Sequence, residues 1–243
     1  MSGGPHAGTL GDPKAAVGRA AAALVESGMR VGLGTGSTAV HVVRAVAAAV
    51  RGGTLRDLAL VPTSSQIQAV CWELGLDLLT LGDPAVGGAL DLAIDGADEV
   101  DREWNLTKGG GGALLNEKVV AQASSRYVIV VDESKLVERL GERVALPVEV
   151  VPFAVAPVRA ALERRGYRPA VRMAERKQGP VVTDNGNLLI DAWPPADLDP
   201  ARAERELAAI PGVVENGLFT ACVTDLMVGG ESGVRHERRP LPR

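Results

Sequence analysis

Residues 31–39 read VGLGTGSTA, a short apolar run that passes through alternating glycines into Ser-Thr-Ala. A glycine-rich turn from a buried strand into a helix presents backbone N–H groups, and the helix dipole adds partial positive charge. Phosphate suits such a turn, with Ser37 and Thr38 as hydroxyl donors, although a tight strand–helix connection without a ligand is the alternative. The turn is not a Walker A loop, because no lysine follows the glycines. It is also a poor dinucleotide fingerprint, because its glycines are spaced GxGxG rather than GxGxxG.

Helical and short apolar segments alternate around this turn. In DPKAAVGRAAAALVESG (12–28), Asp12 can cap a helix and Gly28 can end it, and Ser37 is predicted to cap the next helix. Further helices are predicted from SSQIQAVCWELG (64–75) and ALLNEKVVAQAS (113–124), and strands from LALVPT (58–63), LDLLTL (76–81), LDLAID (90–95) and RYVIVVD (126–132). This alternation predicts an α/β fold with a parallel, Rossmann-like sheet covered by helices. Ligands of such sheets bind beyond the carboxyl ends of the strands.

The pattern changes after about Gly141. Residues 144–152 and 212–219 are β-like, 156–166 and 201–210 are helical, and Asn185-Gly186 lies between two β-like runs as a hairpin signal. The sequence therefore predicts a smaller α+β domain with an antiparallel sheet over residues 142–217. Residues 1–141 and 218–243 are assigned to the Rossmann-like catalytic domain, because TACVTDLMVGG (220–230) is expected to return to it.

The overall composition excludes several classes of protein. The 243 residues are 46% hydrophobic and 23% charged with a net charge of −4, which favours neither a nucleic-acid nor a membrane surface. No apolar run reaches the roughly 18 residues of a membrane span, and the N-terminus lacks the apolar region of a signal peptide. Cys71 and Cys222 are interpreted as core residues, and His6, His41 and His236 form no metal-ligand motif. We expect a soluble cytoplasmic protein.

Two loops that follow predicted strands carry charged side chains. In AIDGADEVD, Asp95 ends an apolar strand and Asp98, Glu99 and Asp101 follow. A carboxylate at that position can meet a ligand, but turn formation, helix capping and a Mg²⁺ site are alternatives. In VVDESK, Lys135 could meet a phosphate as a point charge, although alone it resembles a surface lysine.

KGGGGALLNEK (108–118) places four glycines between an ammonium group and a helix that carries Glu117. Each glycine loses more backbone entropy on folding than other residues, by about 0.5–1 kcal/mol relative to alanine. Bare backbone lets a ligand come close, and Lys108 and Glu117 could reach one pocket from two sides. A partly desolvated carboxylate there can act as a general base. The alternative makes Glu117 an exposed helix residue paired with a lysine.

Together these blocks resemble the ribose-5-phosphate isomerase type A family. GLGTGST, PTSS, DGADEVD, KGGGGALL-x-EK and DESK match its signature blocks in order, and the similarity extends from Lys14 to about Gly230. The resemblance implies interconversion of D-ribose 5-phosphate and D-ribulose 5-phosphate through a cis-enediolate in the non-oxidative pentose phosphate pathway, without metal or organic cofactor. It also implies a homodimer or homotetramer.

The resemblance assigns roles to individual residues. Glu117 matches the general base, and Asp95, Asp98 and Lys108 match the polar catalytic residues around the sugar. Lys135 matches a substrate lysine expected at the phosphate, and Lys14 is expected to reach the phosphate as well. The remaining expected substrate-binding residues are Thr35, Gly36, Ser37, Thr38, Gly96, Ala97, Gly109, Gly110 and Gly111.

Two alternatives come from other functional classes. A non-catalytic sugar-phosphate-sensing domain of a repressor would normally follow a DNA-binding helix-turn-helix, and only about ten residues precede the first predicted helix. A coenzyme A transferase shares a related sheet and uses a glutamate nucleophile, but DGAD and KGGGG fit the isomerase better. We therefore expect a small pentose 5-phosphate as the partner, and neither nucleic acid nor membrane.

Overall fold

The computed structural model describes residues 12–176 and 178–239. The helices are α1 (Pro13–Ala22), α2 (Ala39–Arg51), α3 (Ser65–Glu73), α4 (Leu114–Ala123), α5 (Val155–Arg164) and α6 (Pro200–Ala208). The strands are β1 (Arg30–Leu33), β2 (Ala59–Pro62), β3 (Leu92–Asp95), β4 (Glu99–Val100), β5 (Leu106–Thr107), β6 (Tyr127–Asp132), β7 (Leu146–Val150), β8 (Arg168–Val171), β9 (Leu188–Trp193), β10 (Val213–Asn216), β11 (Leu218–Phe219), β12 (Asp225–Gly230) and β13 (Gly233–Arg238).

Six strands form the main sheet in the order β13-β12-β6-β3-β1-β2. All neighbours pair in parallel except β12 and β13, which form an antiparallel hairpin at one edge. The inner strands are short and almost wholly apolar, as in β6, where five of six residues are buried. This is the pattern of a sheet covered on both faces. The predicted α/β fold is confirmed.

Two apolar clusters cover the two faces of this sheet. Helices α1, α2 and α3 pack on one face through residues such as Val17, Val46 and Ile67. Helix α4 and the segment before β3 pack on the other face, where Val120 and Leu90 are buried. The strands therefore end in a common layer of loops, and α4 starts beneath that layer.

A separate antiparallel sheet has the order β10-β7-β9-β8. Helices α5 and α6 cover one of its faces, with residues such as Val148, Leu162 and Leu207 in a third apolar cluster. A third, three-stranded sheet joins β11, β5 and β4. The antiparallel sheet was predicted, but the boundaries of the two domains stay a prediction.

Several local predictions are wrong. LDLLTL forms no strand, and its only ladder-like bond is from Leu79 N–H to the Leu60 carbonyl (2.8 Å). The first helix ends at Ala22, well before Gly28, although Asp12 does cap it by accepting from the N–H of Lys14 (3.0 Å). Ser37 does not cap α2, which begins at Ala39 without a side-chain cap.

The remaining predictions for the late part of the chain have mixed outcomes. The segment after residue 220 does return to the main sheet as β12. The hairpin around Asn185-Gly186 forms, but its first arm pairs through a single bridge between Val182 and Leu188. His6 and the N-terminal segment lie outside the described residues. Within the described ranges, no helix combines the length and apolar character needed to cross a membrane.

Candidate active site

One pocket lies at the carboxyl ends of β1, β3 and β6 and brings together loops that are distant in sequence. Its lining comprises Thr35, Gly36, Ser37, Thr38, Gly96, Ala97, Asp98, Lys108, Gly109, Gly110, Gly111, Glu117 and Lys135. These are all of the sequence-predicted site residues except Asp95, which lies directly behind Lys108, and Lys14, which lies beside Ser37. Pocket and prediction therefore agree on which loops meet.

Lys108 occupies the centre of this pocket's charged floor and is only 2% exposed. Its ammonium group lies 3.0 Å from Asp95 Oδ2 and 3.1 Å from Glu117 Oε1, and it donates to the Gly96 carbonyl at 2.5 Å. A lysine ammonium has three donors, so all three are engaged. The two carboxylates raise the pKa of Lys108 despite its burial, and it remains a cation.

Asp95 forms an ion pair with Lys108 and is fixed by further hydrogen bonds. It accepts from the N–H of Thr35 (3.0 Å), the N–H of Gly96 (2.7 Å) and the hydroxyl of Tyr127 (3.3 Å). Gly34 makes the close approach possible, because a Cβ there would lie 2.2 Å from Asp95 Oδ1. Burial raises the pKa of Asp95, and Lys108 with the two N–H groups opposes that rise.

Glu117 is buried and receives far fewer hydrogen bonds. Only Lys108 reaches its Oε1, and its Oε2 has no hydrogen-bond partner among the described residues. Burial raises the pKa of Glu117 to about 8, with Lys108 opposing and Asp95 adding to the rise. The alternative of an exposed helix residue is thus wrong. A carboxylate with one free oxygen and a pKa near neutrality has the properties of a general base.

Helix α4 is held in place by the residue after this glutamate. The buried ammonium of Lys118 lies 2.9 Å from carboxylate oxygens of both Glu204 and Glu215, and 4.9 Å from the ring centroid of Phe219. Since Glu204 belongs to α6 and Glu215 to β10, the helix that carries Glu117 is anchored to the antiparallel sheet and its helices.

The glycine loop (residues 109–112) lines the pocket through Gly109, Gly110 and Gly111. Gly110 donates its N–H to Asp98 Oδ2 (2.7 Å), and a Cβ at Gly110 would lie 2.7 Å from the other oxygen of that carboxylate. Gly109 and Gly112 have φ angles of +99° and +81°, in the region that favours glycine. The loop therefore requires glycine for both its path and its approach to Asp98.

The other acidic residues of DGADEVD lie away from the pocket. Glu99 is buried and accepts from the N–H groups of Gly141 (2.6 Å) and Arg143 (2.7 Å), which fixes the loop after β6. Asp101 accepts from the N–H groups of Glu103 and Asn105 (both 2.9 Å) in a local turn. Within the described residues, no group of His, Cys, Asp and Glu side chains could hold a metal ion.

The opposite end of the pocket is rich in N–H groups. In the part of the chain that the structure describes, the N–H groups of Gly36, Ser37 and Thr38 have no hydrogen-bond partner. Lys135 lines the same end of the pocket, and the ammonium of Lys14 lies 3.1 Å from Ser37 Oγ. Free N–H groups near two ammonium groups form an anion-binding surface.

Sequence reasoning missed several contributors to the site. Tyr127 opens β6 as an ordinary apolar strand residue, and nothing in its context indicates a bond to Asp95. The sequence assigns no role in the site to Thr63 and Ser64 of the PTSS block, yet their hydroxyls lie 2.8 and 2.7 Å from Thr35 Oγ1. Arg172 reaches the glycine loop from the antiparallel sheet, a contact between segments far apart in sequence.

Comparison with known proteins gives a consistent family. The family model described as Ribose 5-phosphate isomerase A (phosphoriboisomerase A) matches residues 59–233. The chain is 49% identical over 195 residues to ribose-5-phosphate isomerase A of Treponema denticola, covering 79% of this chain and 82% of that protein. It is 48% identical over 216 residues to the protein of the same name from Thermosynechococcus vestitus, covering 89% and 90%.

Solved structures agree with the sequence comparison. Ribose 5-phosphate isomerase A from Methanocaldococcus jannaschii superposes with a TM-score of 0.88 at 41% identity, covering 94% of this chain and 99% of that chain. A D-ribose-5-phosphate isomerase in complex with phospho-erythronic acid superposes with a TM-score of 0.90 at 37% identity, covering 93% and 98%.

Proposed function

Because the chain belongs to the ribose 5-phosphate isomerase A family, we propose that Glu117 is the general base by which it interconverts D-ribose 5-phosphate and D-ribulose 5-phosphate. The observation that carries this assignment is the free, buried Oε2 of Glu117 in a pocket that also presents Lys108 and Asp98. In the open-chain aldose, Glu117 takes the proton from C2 and returns it to C1 through a cis-enediolate. One carboxylate serves both carbons because they lie side by side in the planar intermediate.

Lys108 balances charge during this transfer. Before reaction its ammonium faces two carboxylates, Asp95 and Glu117. When Glu117 accepts the C2 proton it becomes neutral, and the negative charge passes to the substrate oxygens. Lys108 then stabilises the enediolate in place of the glutamate, which is the differential stabilisation that lowers a barrier. Asp95 keeps Lys108 charged and oriented throughout.

Asp98 and the glycine loop serve the sugar oxygens. Asp98 lines the pocket and is held by the N–H of Gly110. We assign it to opening the sugar ring and moving protons between O1 and O2. The backbone around Gly96, Ala97 and Gly109–Gly111 supplies further contacts to the substrate, since these residues share the same wall of the pocket.

The phosphate group is assigned to the opposite end. The free N–H groups of Gly36, Ser37 and Thr38 and the ammonium of Lys135 are its proposed ligands, with Thr35 completing the loop. Lys14 approaches through Ser37, although it does not line the pocket itself. Binding energy from this remote group orients C1 and C2 against Glu117.

The test is proton NMR of Glu117→Gln with ribose 5-phosphate in D₂O containing EDTA. We expect product formation and C2 exchange to fall by about 10²–10⁴-fold, the usual contribution of a general base, while substrate binding persists. Glu163→Gln is the control, because Glu163 is an exposed residue of α5 whose carboxylate, in the described part of the chain, pairs only with Arg159. Near-normal turnover in Glu117→Gln would disprove the base assignment. Wild-type protein that gave neither product nor exchange would overturn the function itself.

A non-catalytic sugar-phosphate-sensing role is not favoured. Burying two carboxylates around one ammonium costs desolvation energy, and holding a sugar phosphate does not require it. A site for proton transfer does require a base with a raised pKa, which Glu117 has.

We also propose that the protein is a cytoplasmic homodimer or homotetramer in which residues 142–217 form a domain of their own. Exposed apolar side chains favour association, and Phe153, two residues before α5, is 99% exposed. Light scattering after size-exclusion chromatography would measure the oligomer directly. A monomer at micromolar concentration would contradict the proposal.

A further inference from the structure

Arg172 directly follows β8 in the antiparallel sheet, yet it contacts the glycine loop of the active site. Its Nε and Nη2 donate to the two oxygens of Asp191 at 2.9 and 2.5 Å. Its Nη1 donates to the carbonyl oxygens of Gly109 (2.9 Å) and Gly110 (3.1 Å). A single planar guanidinium therefore joins a strand carboxylate to two consecutive peptide groups.

Each of these two peptide groups has its N–H on a residue that lines the pocket, Gly110 or Gly111. The Gly109 carbonyl shares its peptide with the N–H of Gly110, which donates to Asp98. The Gly110 carbonyl shares its peptide with the N–H of Gly111, which lines the pocket and has no hydrogen-bond partner among the described residues. A cation at a carbonyl oxygen polarises the peptide and strengthens its N–H as a donor.

We propose that Arg172 is a positioning residue for the isomerisation. It fixes and polarises both peptides, so that the N–H of Gly110 holds Asp98 and the N–H of Gly111 donates to an oxygen of the enediolate. This inference rests on the proposed function. It also explains how a run of glycines, which has high conformational freedom, becomes a preorganised donor surface of the kind that stabilises developing oxyanions.

The requirement is for arginine rather than for positive charge. A guanidinium offers donors in a fixed fork and can hold a carboxylate on one edge and carbonyls on another, whereas an ammonium is a compact point charge. Asp191 fixes the fork, and the Arg172 side chain is only 17% exposed. Arg172→Lys would therefore keep the charge but lose the geometry.

The experiment compares Arg172→Ala and Arg172→Lys with Arg168→Ala. Arg168 lies at the other end of β8, is exposed, and has no hydrogen bond or ion pair from its side chain among the described residues. Both Arg172 variants are expected to lower kcat about 10–100-fold, with KM for ribose 5-phosphate changing less than about threefold because the phosphate ligands are untouched. Arg168→Ala should stay within about twofold of wild type in both constants.

A second readout separates positioning from general destabilisation. The probe is 4-phospho-D-erythronate, whose planar, negatively charged carboxylate resembles the planar C2 centre of the enediolate, with one oxygen in the place of O2. Its Kd should rise at least about tenfold in Arg172→Ala, as expected for a transition-state-like ligand, and stay unchanged in Arg168→Ala. Melting curves confirm that each variant is folded. If Arg172→Ala does not fold, Asp191→Asn loosens the guanidinium instead and should lower kcat in the same direction.

The outcomes distinguish this inference from the function on which it rests. Suppose that the wild-type protein is active and that folded Arg172→Ala has the same kcat and the same Kd for the inhibitor. That result would overturn the role of Arg172 but not the function. The same holds for Asp191→Asn if it has to replace Arg172→Ala. Full activity of Arg172→Lys would also overturn it, because charge would then suffice. An inactive wild-type protein would overturn the function as well.

Discussion

Asp95 and Glu117 lie at the same ammonium group but differ in how many N–H and O–H groups reach them. Asp95 accepts from Thr35, Gly96 and Tyr127 in addition to Lys108. Among the described residues, the side chain of Glu117 accepts only from Lys108. When one proton is shared between two carboxylates, it goes to the one whose charged form is less well hydrogen-bonded. We therefore propose that Glu117, rather than Asp95, is the carboxylate that gains and loses a proton.

The dependence of kcat/KM on pH should show this titration. Burial raises the pKa of Glu117 to about 8, and only the ionised base can accept a proton, so kcat/KM should rise with pH up to about 8 and then level. Initial rates at substrate concentrations below KM, from about pH 6.5 to 9.5, would measure it. A flat profile between pH 6.5 and 8.5 would contradict the assignment.

Removing a neighbouring charge tests whether the rise of kcat/KM with pH reports the titration of Glu117. The carboxylate of Asp98 contributes to the raised pKa of Glu117. Asp98→Asn should therefore move the rising limb to lower pH, whatever it does to the absolute rate. An unshifted limb would indicate that another group titrates.

Single residues of the site were predictable where a motif carried them. Glu117 and Lys108 stand out because four glycines between them need an explanation. Burial of Glu117 was not predictable, because two lysines within the same eleven residues equally suit an exposed helix. The contributions of Tyr127 and Arg172 depend on contacts between distant segments, which local patterns do not encode.

The glycine loop is the element on which the pocket depends, and its glycines are not equivalent. Gly109 has a φ of +99°, and a Cβ there would lie 2.8 Å from Leu114 Cδ2 and 3.2 Å from Pro147 Cβ. Gly109→Ala should therefore lower the free energy of unfolding by about 1–3 kcal/mol through backbone strain and crowding. Urea unfolding monitored by circular dichroism would measure it.

Gly111 offers the matched control for stability. A Cβ there would meet only Thr35 Cγ2, at 3.4 Å, and the residue is not in the left-handed region. Gly111→Ala should change the free energy of unfolding by less than about 0.5 kcal/mol. Equal destabilisation by the two substitutions would contradict the strain argument.

Elements were predictable where periodicity and capping agreed. Helix α3 begins where Ser64 caps it by accepting from the N–H of Ile67. The prediction of a strand for LDLLTL was wrong because its leucines contact two different apolar clusters. Leu78 packs against the cluster on one face of the sheet, and Leu79 packs against the cluster on the other face. Such a segment is apolar and extended without pairing. Strands β4 and β5 were missed because a strand of two residues carries no recognisable period.

At the scale of the whole molecule, Asp225 joins three strands of the main sheet. Its buried carboxylate accepts from Arg126, which precedes β6, at 2.6 and 3.0 Å, and lies 2.8 Å from His236 of β13. Hydrogen bonds from Arg126, His236 and Thr224 outweigh burial and lower the pKa of Asp225 to about 2. The ionised form is thus stabilised in the folded protein.

Asp225→Asn should lower the free energy of unfolding by about 2–3 kcal/mol at pH 7, as a carboxyl pKa of about 2 against about 3.9 in the unfolded chain implies. Because the folded pKa is the lower one, this stability is present above about pH 4 and is lost as pH falls towards 2. Urea unfolding of the wild-type protein and Asp225→Asn between pH 7 and 2.5 would show the difference between their free energies of unfolding becoming smaller as the pH falls. Asp197→Asn, at an exposed position, is the control. A difference in free energy of unfolding that did not change with pH would contradict the proposed link between stability and the ionisation of Asp225.

The fold class of the whole molecule was predictable from the sequence, but the order of the strands in its sheets was not. Alternation of apolar runs and helices indicated a parallel sheet, and its loops converge as expected. The order β13-β12-β6-β3-β1-β2 could not be read from the sequence, because pairing partners are set by packing among distant segments. For the same reason, the approach of Arg172 to the glycine loop became visible only in the folded chain.

The position of β12 between β6 and β13 also imposes an order in time. A ribosome releases β6 long before β12, so the nascent chain carries β6 with one unpaired edge while the entire antiparallel sheet is still being synthesised. An open edge of an apolar strand is prone to pair with other chains. Completion of the main sheet therefore waits until β12 has been translated, and a product truncated before β12 would be exposed to aggregation at β6, the strand whose Tyr127 bonds to Asp95.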